Sequence, residues 1–163
     1  MTVFLWLFYA AILSTQPLAQ PHVRVADLER RVHRLINDER ANAKTPALAF
    51  DERLSAVARA HARDMARRRF FSHVNPDGED PTARGKRAGY ECRIVSGHSI
   101  REGLAENLFE SSGSWRDDVA SRSVRGWMKS AGHRRNILEK NYGKTGVGVA
   151  TSGDMIFITQ LFC

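Results

Sequence analysis

Apolar residues recur at three- and four-residue steps in two early stretches of the chain. The positions that mark them are Val25, Leu28, Val32, Leu35, Ile36, Leu54, Val57, Ala58, His61, Ala62 and Met65. Such steps place side chains on one face of a helix, which has about 3.6 residues per turn. The pattern therefore predicts two amphipathic helices, over residues 22–43 and 51–69, with arginines on the outer face of the second.

Shorter elements are predicted farther along the chain. The turn pairs Asn75–Pro76 and Asp77–Gly78 indicate a loop after the second helix. Beyond it we predict a short helix within Thr82–Tyr90 that Gly89 ends, an irregular segment over Glu91–Gly103, a strand over Leu104–Phe109, a helix over Trp115–Met128 and a short helix from Ser130 to about Lys140.

The end of the chain has the pattern of a β-hairpin. Apolar segments over residues 145–150 and 155–162 flank a turn that contains a Ser-Gly pair. The second segment is apolar on both of its alternating faces, so both sides of the sheet need cover. We therefore predict an α+β fold, a three-layer α-β-α sandwich with a small central antiparallel sheet.

The first twenty residues, MTVFLWLFYAAILSTQPLAQ, contain no Asp, Glu, Lys or Arg. Their apolar run, Val3–Leu13, is shorter than the about 20 residues that cross a bilayer, but it matches the core of a secretory signal, with Ala19 at a cleavage site. We expect residues 1–19 to be a signal peptide and residues 22–163 to form one domain of a secreted protein, either extracellular or periplasmic, without a transmembrane span. An uncleaved anchor is the alternative.

Positive charge dominates the remaining chain, with 25 Lys and Arg against 18 Asp and Glu. Basic runs such as Arg67–Arg69 and Arg134–Arg135 suit an anionic surface, for example cell-wall polymer or lipid headgroups, and they also suit a merely solvated face. Aromatic residues are not interleaved with these runs, and no nucleic-acid module signature is present. We do not expect a nucleic-acid partner.

The two cysteines, Cys92 and Cys163, are an even number in a chain that looks exported. One disulfide is therefore expected, and two free thiols are the alternative. A bridge that closes a loop of this length would contribute about 4 kcal/mol by chain entropy.

Three polar residues are candidates for a functional site. His73 follows the second helix, His133 opens the last short helix, and Glu106 interrupts an apolar strand, where a buried carboxylate needs a partner. Two imidazoles and a carboxylate match the ligands of an open zinc site. They also suit a structural hydrogen-bonded cluster, and their sequence separations do not show that they meet.

The other histidines and the serines carry weaker signals. His61 lies on the apolar stripe of the second helix, which predicts a core histidine with a hydrogen-bond partner. His22 and His33 are predicted to lie at the surface. No G-x-S-x-G sequence is present, and Ser130, three residues before His133, shows no triad order. We therefore predict no serine nucleophile.

Four motifs together point to a known family. The segments LSAVARAHARDMARRRFFSH, AENL, WMKSAGHRRNIL and GVGVA occur in this order. They resemble the CAP superfamily (cysteine-rich secretory, antigen 5 and pathogenesis-related 1 proteins, or SCP domain), most closely its bacterial branch, from about Leu28 to Phe162. The resemblance implies an α-β-α sandwich with a cleft lined by His73, Glu106 and His133.

The chain departs from the family pattern in two respects. Ser130 stands where many animal and plant members have a second cleft glutamate, and most of the family's cysteines are absent. In some relatives the two cleft histidines bind zinc or a similar ion, others bind sterols or other lipids, and proteolysis has been proposed for a few. The resemblance therefore implies the fold more directly than the function.

Two functions follow as hypotheses. The first is a secreted binding module whose cleft holds zinc or another divalent metal through His73, His133 and Glu106 and takes a lipid or cell-envelope ligand. The second is a metal-assisted hydrolase, a peptidase or esterase, in which Glu106 is ligand or general base and Ser130 bonds the attacking water. A purely structural role of the three residues is the remaining alternative.

Overall fold

A computed structural model describes residues 25–113 and 118–163 of the chain. Its elements are α1 (Val25–Asn42), β1 (Ala49–Phe50), α2 (Glu52–Arg68), α3 (Pro81–Arg87), β2 (Arg93–Ser96), β3 (Ser99–Glu102), β4 (Ala105–Ser111), α4 (Val119–Lys129), α5 (Ala131–Leu138), β5 (Lys144–Ser152) and β6 (Met155–Phe162). The predicted signal peptide and the predicted start of the fourth helix at Trp115 lie outside the described residues.

The central sheet has the strand order β1-β5-β6-β4. Strands β5 and β6 form the predicted C-terminal hairpin, and β4 pairs antiparallel with β6 from Ala105 opposite Phe162 onward. The two residues of β1 pair parallel to β5, which the sequence analysis did not predict. Strand β4 is last in this order, so it forms the opposite edge of the sheet.

Helices cover both faces of this sheet. Helices α2 and α3 lie on one side, and α1, α4 and α5 lie on the other. Trp127 of α4 is buried, and its indole N–H donates to the carbonyl of Leu108 in β4. The predicted three-layer α-β-α sandwich is therefore confirmed.

Two glycines let α2 lie directly against β5. A Cβ atom at Gly146 would clash with the backbone of Leu54 and Ser55, and one at Gly148 would clash with the backbone of Arg59. The GVGV sequence lies in a strand, as predicted, and its glycines let α2 pack closely against that strand.

The segment Glu91–Gly103, predicted to be irregular, contains the antiparallel hairpin β2–β3. Its turn includes Gly97, whose positive φ suits a tight hairpin turn. Only Ile94 of the two strands is buried, so the sequence lacks the alternation that normally predicts a strand. The predicted disulfide between Cys92 and Cys163 is present and lies at the base of this hairpin.

Candidate site at the edge of the sheet

Glu106 lies in the edge strand β4 with its side chain 1% exposed. Its Oε1 accepts a hydrogen bond from Nδ1 of His73 at 2.8 Å, and its Oε2 accepts one from Arg84 at 2.6 Å. A buried carboxylate is stable only with such partners. The structure therefore brings Glu106 and His73 together and adds an arginine to the pair.

Arg84 of α3 is buried and was not predicted to take part in the site. Besides Glu106, its guanidinium donates to the carbonyls of His73 at 2.7 Å and Glu79 at 2.8 Å. The planar fork of arginine makes these several bonds at once. Arg84 thus holds both the carboxylate and the backbone of the loop that carries His73.

His73 follows α2, and its side chain is 53% exposed. Since Nδ1 donates to Glu106, Nε2 is the nitrogen available for a ligand on the solvent side. An imidazole that donates one N–H to a carboxylate and offers the other nitrogen is the arrangement typical of metal-ligating histidines.

His133 is the third residue of α5 and is half-buried. Its pKa is lowered, first by burial and then by the electrostatic effect of the His73 imidazole. His73 donates to Glu106, and the carbonyl of His133 accepts from the adjacent Asn107, so both histidines lie against β4, although His73 follows a helix on one side of the sheet and His133 belongs to a helix on the other.

Two asparagines fix α5 against β4. The amide of Asn107 donates to the carbonyl of His133 at 3.2 Å. The amide of Asn136 donates to the carbonyl of Glu106 at 3.2 Å and to the side chain of Asn107 at 2.9 Å. The sequence analysis missed both residues, although each lies within a quoted motif: Asn107 directly follows Glu106, and Asn136 lies three residues after His133.

His61 lies in the core behind the site. Its Nε2 is 3.0 Å from the carbonyl of Ser72, which only accepts, so Nε2 is the donor. The prediction of a core histidine with a partner is confirmed. Burial is the main cause that lowers the pKa of His61, which lies 4.0 Å from Oε1 of Glu106.

The prediction that His33 is a surface residue was wrong. It is half-buried, its Nε2 is 2.8 Å from the carbonyl of Leu48, and its ring meets Phe50 edge-on. The strand β1 and the loop before it cover this face of α1, which the sequence pattern did not reveal. His22 lies outside the described residues.

The donor set fits a metal only in part. Both oxygens of Glu106 are engaged, by His73 and by Arg84, so Glu106 is placed to orient an imidazole. In the described ranges no group of three or more His, Cys, Asp or Glu side chains is arranged to hold a metal ion. Among the described residues, the geometry therefore does not supply three protein ligands for a metal ion.

Ser130 separates α4 from α5 and is half-buried. Its backbone N–H donates to Trp127, and its side chain does not cap α5. The predicted role of its hydroxyl stays a prediction.

Comparison with known proteins agrees with this architecture. The family model for the cysteine-rich secretory protein family, CAP, matches residues 33–162. YkwD of Bacillus subtilis is 32% identical over 131 residues, which are 80% of this chain and 46% of YkwD. The membrane protein YlbC of the same bacterium is 30% identical over 134 residues, 82% of this chain and 34% of YlbC.

An extracellular protein with an SCP domain from Bacillus anthracis has a similar solved structure. It superposes with a TM-score of 0.67 and 28% identity, over 84% of this chain and 40% of that chain. The chain belongs to the CAP family. It spans less than half the length of these relatives.

Within the described ranges, no helix combines the length and the apolar composition that crossing a membrane requires.

Proposed function

We propose that the chain is a secreted binding module that holds a divalent metal ion, such as zinc, through His73 and His133 and takes a lipid or cell-envelope ligand. The observation that carries the proposal is the 2.8 Å hydrogen bond between Nδ1 of His73 and Glu106. It orients the ring and leaves Nε2 toward solvent, where an ion would bind.

The electrostatics of His133 support the same proposal. Metal ions bind neutral imidazole, and the lowered pKa of His133 favours its neutral form. Two imidazole ligands leave positions of the ion open, so a bound ion would be available to an external ligand.

Export is supported by three observations of different kinds. The disulfide between Cys92 and Cys163 is typical of oxidising compartments. The first nineteen residues match a secretory signal, and the similar Bacillus anthracis protein is extracellular.

Calorimetric titration with zinc tests the metal site. We expect the wild-type chain to bind zinc and the His73→Ala/His133→Ala double variant to lose that binding. His98→Ala removes an exposed histidine from the turn between β2 and β3 and is the matched control. Equal heats from the wild type and the double variant would contradict the metal site.

Activity assays of the wild type and of the variant Glu106→Gln test the hydrolase alternative. Glu106 is bound by Arg84 and by His73, so it is poorly placed to act as a general base. We expect no zinc-dependent turnover of a panel of peptides and esters. Turnover that Glu106→Gln abolishes would favour the hydrolase over the binding module.

A further inference from the structure

The segment that follows α2 exposes apolar side chains beside His73. Among the described residues, the large apolar residues that are exposed are Val25, Phe71, Val74, Val95 and Ile100. Phe71 and Val74 are 43% and 48% exposed, and they flank His73 in the sequence. Residues 71–74 are all exposed, so the segment projects from the surface of the molecule.

Contacts on both sides of Phe71 hold this segment in place. The half-buried Phe70 packs against the core, and its ring centroid lies 5.8 Å from that of His61. The carbonyl of Ser72 accepts from His61, and the carbonyl of His73 accepts from Arg84. The two exposed apolar side chains therefore cannot turn inward without breaking these contacts.

Three exposed arginines precede the segment at the end of α2. Arg67 pairs with Asp64, and Arg68 pairs with Asp64 and Asp77. Within the described residues, the guanidinium of Arg69 has no partner. Positive charge is therefore available to an anion at this end of α2, in a chain whose formal net charge is +7.

The combination of arginine charge and exposed apolar side chains favours one kind of partner. A soluble anion would meet the charge but leave Phe71 and Val74 in water. A second copy of this chain would bring two positively charged molecules together. A folded partner would need about 800 Å² of matching surface, whereas this segment is short and projects. The interface of an anionic bilayer supplies phosphate and hydrocarbon side by side.

We propose that residues 67–74 dock the chain on the surface of an anionic phospholipid bilayer. The arginines meet the headgroups, and Phe71 and Val74 enter the interface, which places His73 at the bilayer surface. The proposal rests on the proposed function in taking lipid as the ligand, and it narrows that ligand to a bilayer surface. It does not require the metal ion.

Sedimentation with lipid vesicles tests the partner. The chain from Gln20 onward is used, because the apolar run of the predicted signal peptide would itself bind lipid; it contains all described residues. We expect binding to vesicles of phosphatidylcholine mixed with phosphatidylglycerol, weaker binding at raised salt, and little binding to phosphatidylcholine alone. Equal binding to both kinds of vesicle would overturn the proposal.

Removal of the apolar side chains separates a bilayer from a soluble anion. We expect Phe71→Ser/Val74→Ser to weaken binding to the anionic vesicles about tenfold. The matched control Val95→Ser/Ile100→Ser removes two residues that are 64% and 55% exposed on the β2–β3 hairpin, and it should have little effect. Wild-type binding by the first variant, or equal losses in both, would overturn the proposal.

Removal of charge tests the basic part of the same surface. We expect Arg67→Gln/Arg69→Asn to weaken vesicle binding about tenfold. Asparagine suits the positive φ of 57° at Arg69. The control Arg34→Gln/Arg125→Gln removes the same charge from exposed positions of α1 and α4. Equal losses in the two variants would show that net charge, and not this surface, drives binding, and would overturn the assignment.

Tryptophan fluorescence reports insertion directly. With anionic vesicles, we expect the emission of Phe71→Trp, after subtraction of the wild-type signal, to shift to shorter wavelength and to be quenched by brominated lipid. Val95→Trp is the control and should show neither change. A tryptophan at position 71 that stays in water while the chain is bound would overturn the proposal.

A chelator separates docking from the metal site. We expect the same vesicle binding with and without EDTA, because the arginines and the apolar side chains need no ion. Vesicle binding that EDTA abolishes would overturn the docking surface. Zinc calorimetry without lipid tests the metal site independently, so either proposal can fail alone.

Discussion

Glu106 illustrates how single residues build the site. Its two oxygens accept from His73 and from Arg84, and the arginine supplies the positive charge that a buried carboxylate requires. The sequence marked Glu106 because a carboxylate buried in an apolar strand needs a partner, and His73 because the end of a helix is a position where functional groups are presented. It did not mark Arg84, since an arginine in a short basic helix normally lies in solvent.

The buried imidazole of His61 is expected to make folding stability depend on pH. Its pKa is lowered from 6.5 by burial, so the unfolded chain binds the proton more readily. Stability is therefore fully present above about pH 6.5 and falls as the pH is lowered below it. Urea unfolding at about pH 7.5 and about pH 5 measures this slope.

The variant His61→Gln isolates this contribution. Its amide keeps a donor for the carbonyl of Ser72 but does not titrate. We expect a shallower loss of stability at low pH, with a residual slope from His133, whose pKa is lowered in the same direction. The same slope in the variant and the wild type would show that His61 does not contribute.

Among the secondary-structure elements, α1 and α5 are joined through one arginine. Arg40, in the last turn of α1, is fully buried. Its guanidinium donates to the carbonyls of Pro46, Ile137, Glu139 and Tyr142. These bonds fix the end of α5, and with it the helix that carries His133, to the first helix of the chain.

Substitution Arg40→Met is expected to lower the free energy of unfolding by about 3 kcal/mol, because buried carbonyls lose their donor. Burial lowers the pKa of Arg40, which reflects the loss of solvent around it. Urea unfolding measures the effect. Arg34→Met, at an exposed position of the same helix, is the control, and equal unfolding midpoints for both variants would contradict the role of Arg40.

For the molecule as a whole, the disulfide is the covalent link between distant parts. It joins Cys92, before β2, to Cys163, after β6, across a sequence separation of 71 residues. It therefore ties the exposed β2–β3 hairpin to the end of the central sheet.

Replacing both cysteines with alanine is expected to lower the free energy of unfolding by about 4 kcal/mol, mainly because the unfolded chain gains entropy. Chemical unfolding in the absence of reductant measures the difference. Reductant should lower the free energy of unfolding of the wild type to about that of the double variant. It should leave the stability of the double variant unchanged. A wild type that is insensitive to reductant would contradict this contribution.

The sequence by itself determined the helices, the C-terminal hairpin and the three-layer order, because apolar periodicity is a local property that each segment carries alone. It also singled out His73, Glu106 and His133. Tertiary structure decided what local patterns do not contain: the pairing of β1, the hairpin within Glu91–Gly103 and the burial of Arg84. Each of these depends on segments far apart in the chain, whose contacts form only when the layers pack.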